Sequence, residues 1–199
     1  MTSARPNKMA SARAVGGGSD TTRYAALLRA VNVGGKNSVP MERLRAVLEE
    51  RFADVSTLLQ SGNVVLTSTE SEPAISAGVS EAIAAAFDLR IPVVVRSAAE
   101  IATIASSNPF LALGAKPGAT TLHVAFLLER PRAAGLQSLD PDRSPPDACV
   151  VSGRDVYLSY PNGSARTRLT LGYLERSLGV QGTARNWRTV LRIATLLDR

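Results

Sequence analysis

Two short turn signals, Ser61-Gly62 and Ser152-Gly153, each stand between a pair of strand-like runs, and the elements around them come in the same order in both halves of the chain. A segment that repeats its order of strands and helices must solve the same packing problem twice. In the first half, residues 24–31 read as a strand and 33–39 as a loop. Pro40 opens a helix whose Leu44, Val47 and Leu48 share one face. Residues 54–60 and 63–67 form a hairpin about Ser61-Gly62. Pro73 opens a second helix, along which Ile75, Val79, Ile83 and Phe87 recur at helical spacing. A strand at 92–96 and a short helix marked by Ile101, Ile104 and Ala105 follow, and Asn108-Pro109-Phe110 ends that helix.

The second half has a strand at 120–129, a helical turn begun by Pro131, and a proline-rich loop at 141–146. Strands at 148–151 and 155–160, a helix at 168–178 closed by Gly179, a strand at 181–185 and a last helix complete it, the last helix carrying Trp187, Val190, Leu191, Ala194 and Leu197 on its apolar stripe. Each half therefore reads β-α-β-β-α-β-α, the split β-α-β order. The expected fold is α+β: two tandem ferredoxin-like units with antiparallel sheets and helices packed on one face, spanning residues 21–110 and 111–199. Residues 1–20, with Gly16-Gly17-Gly18-Ser19 and no apolar period, are expected to form a disordered tail.

Composition narrows the function classes. No run approaches the roughly 20 apolar residues needed to cross a bilayer, and the first twenty positions lack a signal-peptide centre, so the expected location is the cytoplasm, with no membrane partner. The lone Cys149 allows no intrachain disulfide, and neither cysteines nor carboxylates cluster at ligand spacing, so no metal and no cofactor are expected. His123 is the single histidine, and no G-x-S-x-G elbow occurs. The net charge of +6 is uneven: residues 151–199 hold eight arginines against Asp155, Glu175 and Asp198. Arginine's planar fork suits phosphate and carboxylate. An aromatic content of 5% leaves little for base stacking on the sheet.

The run Leu27-Leu28-Arg29-Ala30-Val31-Asn32-Val33-Gly34-Gly35-Lys36-Asn37 empties a strand into two glycines, a cation and an amide. It fails the phosphate-loop pattern G-x-x-x-x-G-K-[ST] twice, since Ala30 stands at the first glycine and Asn37 at the hydroxyl residue. What remains is a loop whose amides and Lys36 suit an anion beside a helix start. Together with Gln60-Ser61-Gly62-Asn63-Val64-Val65, Asn108-Pro109-Phe110 and the Thr183 to Val190 block, this run resembles domain-of-unknown-function family 1697. The resemblance implies a bacterial α+β protein of this size with no established activity, and a glycine where this chain has Ala30.

The candidate ligand-binding set is Asn32, Gly34, Gly35, Lys36, Asn37, Gln60, Ser61, Asn63, Arg185 and Asn186, a polar group suited to binding more than to bond cleavage. The expected partner is an anionic small molecule, such as a nucleotide, or a nucleic acid. No catalytic residue is assigned, and the oligomeric state is not legible. Two alternatives accompany this reading: an enzyme acting on a phosphorylated small molecule, with Lys36 as clamp and His123 as proton carrier, and a protein-interaction module with no small-molecule site.

Overall fold

The computed structural model describes residues 21–34, 37–115 and 121–199. The tail expected at 1–20, and Gly35 and Lys36, lie outside them. The first unit runs β1 (Thr22–Leu28), α1 (Met41–Glu49), β2 (Ala53–Leu58), β3 (Asn63–Ser68), α2 (Glu72–Phe87) and β4 (Val93–Ser97), followed by α3 (Ala98–Ser106) and α4 (Pro109–Ala112). The second runs β5 (Leu122–Leu127), α5 (Ala133–Ser138), β6 (Ala148–Ser152), β7 (Asp155–Ser159), α6 (Leu171–Leu178) and β8 (Gly182–Asn186), followed by α7 (Trp187–Leu197). Two four-stranded antiparallel sheets result, ordered β2-β3-β1-β4 and β6-β7-β5-β8. This is the tandem ferredoxin-like arrangement. Among the described residues no helix is long and apolar enough to cross a membrane.

Alternation along the strands sorts side chains into three cores. Ala26, Leu28, Val64, Leu66, Val93 and Val95 face α1 and α2, whose Leu44, Leu48, Ile75, Val79 and Ile83 are fully buried against them. Ala25, Leu27, Val65 and Val94 face the other way, toward Val124, Phe126 and Tyr157 of the second sheet. Ala125, Leu127, Val156 and Leu158 look outward to α6, on which α5 packs. The crossover helices of each unit thus share one face of its sheet. The helices that follow the units, α3 and α7, fill the space between the sheets with Ile101, Ile104, Trp187, Val190 and Ile193. Trp187 is a core residue, as its stripe implies.

The end of β1 departs from the periodicity for a local reason. β1 stops at Leu28, short of Val31, because the backbone at Ala30 has φ +54° and leaves the strand region. The Asn-Pro-Phe signal does end α3, and Asn108 then caps a further short helix, its Oδ1 accepting from the Phe110 N–H at 3.0 Å.

The units are joined by a reciprocal pair of arginines. Arg96, on β4 and fully buried, crosses to the second unit. Its Nη2 donates to Leu127 O at 2.8 Å, Arg154 O at 3.0 Å and Asp155 Oδ1 at 2.9 Å. Arg185, at the same place on β8, crosses to the first unit, donating to Leu28 O at 2.7 Å, Gly62 O at 3.2 Å and Asn63 Oδ1 at 2.5 Å. Pseudo-equivalent positions serve both: the end of the first strand, the last residue of the hairpin turn and the first residue of the third strand.

Beside Arg96, the Arg154 guanidinium bridges Glu72 of α2 (2.5 Å) and Glu100 of α3 (2.6 Å). Burial alone would raise the Glu100 carboxyl, but hydrogen bonds with Glu72, Arg154 and the Ser97 amide bring it down to about 2. Burial, then the hydrogen bond with Glu100, raise the Glu72 carboxyl. A depressed carboxyl stabilises the fold fully above its ordinary value and loses that contribution on acidification. We expect wild-type stability, followed by urea titration, to fall between pH 4.5 and about 2, and Glu100→Gln to flatten this acid limb.

Candidate functional site

The loop after β1 is built from left-handed backbone. Ala30, Asn32, Gly34 and Asn37 have φ of +54°, +53°, +59° and +49°. Asparagine tolerates this region because its short amide bonds locally. The Asn32 Nδ2 donates to Val39 O at 2.9 Å and Gln60 O at 2.8 Å, and its Oδ1 accepts from the Val39 N–H at 2.9 Å. The Asn37 Nδ2 donates to Ala30 O at 3.0 Å, and the Asn32 N–H donates to Asn37 O at 3.1 Å. One asparagine therefore staples the loop to α1's entry and to the β2-β3 hairpin.

The hairpin adds two more left-handed residues, Leu59 (φ +60°) and Gly62 (φ +71°). A Cβ at Gly62 would lie 2.3 Å from Val31 Cγ2 and 2.8 Å from Leu28 Cβ, so only glycine fits beneath the loop. Seven of the twelve positive-φ residues described fall from Ala30 to Gly62, whereas the pseudo-equivalent turn of the second unit has one, Gly153. Non-glycine residues held in this region cost the fold of order 1 kcal/mol or more each and concentrate at functional sites.

Electrostatics separates the two junctions further. Arg96 meets Asp155, whereas Arg185, 7% exposed, meets Asn63 at the equivalent place. Its remaining bonds go to Thr183 Oγ1 at 2.6 Å and the carbonyls of Ala184, Leu28 and Gly62. Every acceptor is neutral. Burial with no compensating carboxylate brings the Arg185 guanidinium down to about 10, which leaves it charged at neutral pH. A buried cation satisfied by dipoles alone projects its charge to the nearby surface.

Most of the sequence-predicted residues converge here. Asn32, Gly34, Asn37, Gln60, Ser61, Asn63 and Arg185 belong to one junction, and Gly35 and Lys36 lie outside the described residues. Within that group the roles divide. Asn32, Asn63 (1% exposed) and Arg185 are committed to bonds inside the protein, while Gln60, Ser61, Gly34 and Asn37 reach the surface. Asn186 caps α7, its Oδ1 accepting from the Arg188 N–H at 3.0 Å. The residues that sequence reasoning missed are Arg29, whose Nη2 pairs with Glu175 at 2.9 Å and whose Nε donates to Gly182 O at 3.1 Å, and the exposed apolar pair Val33 and Leu59.

His123 stands elsewhere. It pairs with Asn186, one residue from Arg185, but on the opposite face of the sheet: its ring packs on Tyr160 at 5.2 Å on the α6 side, whereas Arg185 pairs with Val124, which faces the layer between the sheets. Burial lowers its pKa. Among the described residues no group of histidine, cysteine and carboxylate side chains is placed to hold a metal ion.

Residues 21–157 match the model of a family described as "Protein of unknown function (DUF1697)". The chain belongs to that family. A solved structure, that of the conserved bacterial protein SP0830 from Streptococcus pneumoniae, superposes with a TM-score of 0.69 at 22% identity, covering 90% of this chain and 100% of that one. This likeness is one of fold. No curated protein matches the chain. The glycine that the family resemblance implies at position 30 has its reason in the backbone, since φ there is +54°. Ala30→Gly is expected to raise unfolding free energy by about 1 kcal/mol by removing the left-handed penalty, as read from denaturant midpoints.

Proposed function

We propose that this DUF1697 protein binds an anionic ligand, carrying phosphate or carboxylate groups, at the surface formed by the Asn32–Asn37 loop and the Gln60–Asn63 turn. The observation that carries this reading is the unbalanced charge of Arg185. Where the second unit supplies Asp155, the first supplies Asn63, and no carboxylate among the described residues contacts the buried guanidinium. The strained loop above it brings exposed polar groups from two distant segments to that charge. The basic balance of the whole chain acts in the same direction.

An enzymatic reading built on Lys36 and His123 has less support, because His123 sits on the outer face of the second sheet, packed on Tyr160, and Arg185 turns to the other face. The binding reading needs no proton carrier.

The test copies the other junction. Asn63→Asp keeps size and shape and gives Arg185 the partner that Arg96 already has. Calorimetric titration with inorganic pyrophosphate at low salt should give binding to the wild type that weakens by about tenfold in Asn63→Asp, the order expected for one opposing charge at an effective dielectric near that of a protein surface; the variant also loses the Asn63 Nδ2 bond to Leu58 O, so its thermal midpoint is expected to fall and the titration is run well below it. Equal affinity in the two proteins, or no binding to the wild type, would reject the reading.

A further inference from the structure

The rim of this junction carries Val33, 63% exposed, and Leu59, 44% exposed, and the second of these is also held at φ +60°. Leu59 continues directly from β2, on whose outer edge no strand lies among the described residues. A register shift between Ala53 and Ser56, with Asp54 at φ +50°, disrupts the first half of that edge, while Ser56, Thr57 and Leu58 pair regularly with Val65, Val64 and Asn63. Bulges blunt an edge strand. Here the blunting stops before the residues next to Leu59. A groove of about 370 Å³ lined by Glu42, Arg45, Ser56 and Thr57 runs beside them.

The ladder fixes which backbone groups face outward. In an antiparallel pair each residue directs its N–H and C=O to the same side. The Leu28 N–H donates to Gly62 O, so Leu28 and Ala26 face β3, and Val64, the partner of Ala26, faces β1. Asn63 and Val65 therefore face β2. Their partners Leu58 and Ser56 are turned inward, and Thr57 directs its N–H and C=O away from the sheet.

Resting on the anion reading above, we infer that the ligand is an acidic, extended segment of a partner protein that adds to β2 at Thr57 and seats an apolar side chain on Val33 and Leu59. Main-chain pairing supplies affinity, and alternate side chains supply selection. Charge complementarity favours this occupant, because the uncompensated Arg185 lies beneath the same rim. The exposed apolar groups are aliphatic, whereas single-stranded nucleic acid is held by aromatic stacking. Leucine at 59 also opposes the fold twice, through strain and through exposure, and asparagine would suit that backbone better.

The test uses the full chain and a fluorescein-labelled synthetic peptide of alternating glutamate and valine, with a lysine-valine peptide and oligothymidylate as comparisons. The glutamate peptide should bind, and the lysine peptide should not. Thr57→Pro, which removes an outward N–H, and Leu59→Asn, which suits positive φ, should each weaken binding by about tenfold, the first with its thermal midpoint close to that of the wild type and the second with its midpoint unchanged or raised. N-methylation of alternate peptide amides should abolish binding to the unaltered protein, which keeps the test independent of how the variants fold. No binding of the glutamate peptide, binding indifferent to N-methylation, or tighter binding of oligothymidylate would overturn the proposal. A response to Asn63→Asp without one to Thr57→Pro or N-methylation rejects strand addition and leaves the anion site standing, whereas indifference to Asn63→Asp rejects the anion reading itself.

Discussion

The reciprocal crossing of Arg96 and Arg185 is the interaction on which the rest of this structure depends. Each guanidinium leaves its own sheet and satisfies strand-end and turn carbonyls of the other, and each also donates back to the carbonyl preceding it, Val95 O at 2.8 Å and Ala184 O at 2.9 Å. Outward carbonyls of the edge strands β4 and β8 are thereby occupied from within. Only arginine offers five donors in a fixed fork, enough to reach both a home strand and a foreign turn. Lysine would leave several buried carbonyls without a donor, each costing about 1–3 kcal/mol. Between the sheets, α3 and α7 bury Ile101, Trp187 and Val190 in an apolar layer that the arginines close at its margins.

Pseudo-equivalence makes each junction a control for the other. The backbone bonds agree closely: Leu28 N–H to Gly62 O at 2.8 Å matches Leu127 N–H to Arg154 O at 2.9 Å. The side chains diverge. At one junction Asp155, Arg154, Glu72 and Glu100 surround Arg96 with an ionic network that spans both units. At the other, Asn63 and Gly62 replace Asp155 and Arg154, and the α7 position equivalent to Glu100 is Thr189. One arginine is neutralised, and its twin keeps its charge beneath a strained surface loop. That difference cannot be a requirement of the fold, because the same fold is built both ways in one chain.

Much of this was legible in the residues. Apolar periodicity placed the helices and strands because each element buries one face, and the two Ser-Gly turns exposed the repeat. The end of β1 was not legible, since an alanine at φ +54° looks in sequence like any strand alanine. The site was legible as a set and not as roles. Asn32, Gln60, Asn63 and Arg185 do meet, yet a ligand-facing arginine and a buried one read alike, and only the crossing to Leu28 O and Gly62 O tells them apart. Arg96 drew no attention at the end of Val93-Val94-Val95, because its partners are more than thirty residues away in the other unit. Val33 and Leu59 read as loop and strand residues respectively, whereas their exposure is a property of the assembled surface.

The central claim, that the two units form one body held by the crossed arginines, is open to a direct measurement. Trp187 is the single tryptophan and lies fully buried between the sheets, so its fluorescence reports the layer between the units while far-ultraviolet circular dichroism reports both. Denaturant unfolding followed by the two signals should give superimposable transitions in the wild type. Arg96→Leu, which strands Asp155 in the interior, should shift both signals together by about 3–5 kcal/mol. A fluorescence change that precedes loss of secondary structure in the wild type would contradict the account, because it would mean that the units part before either unfolds.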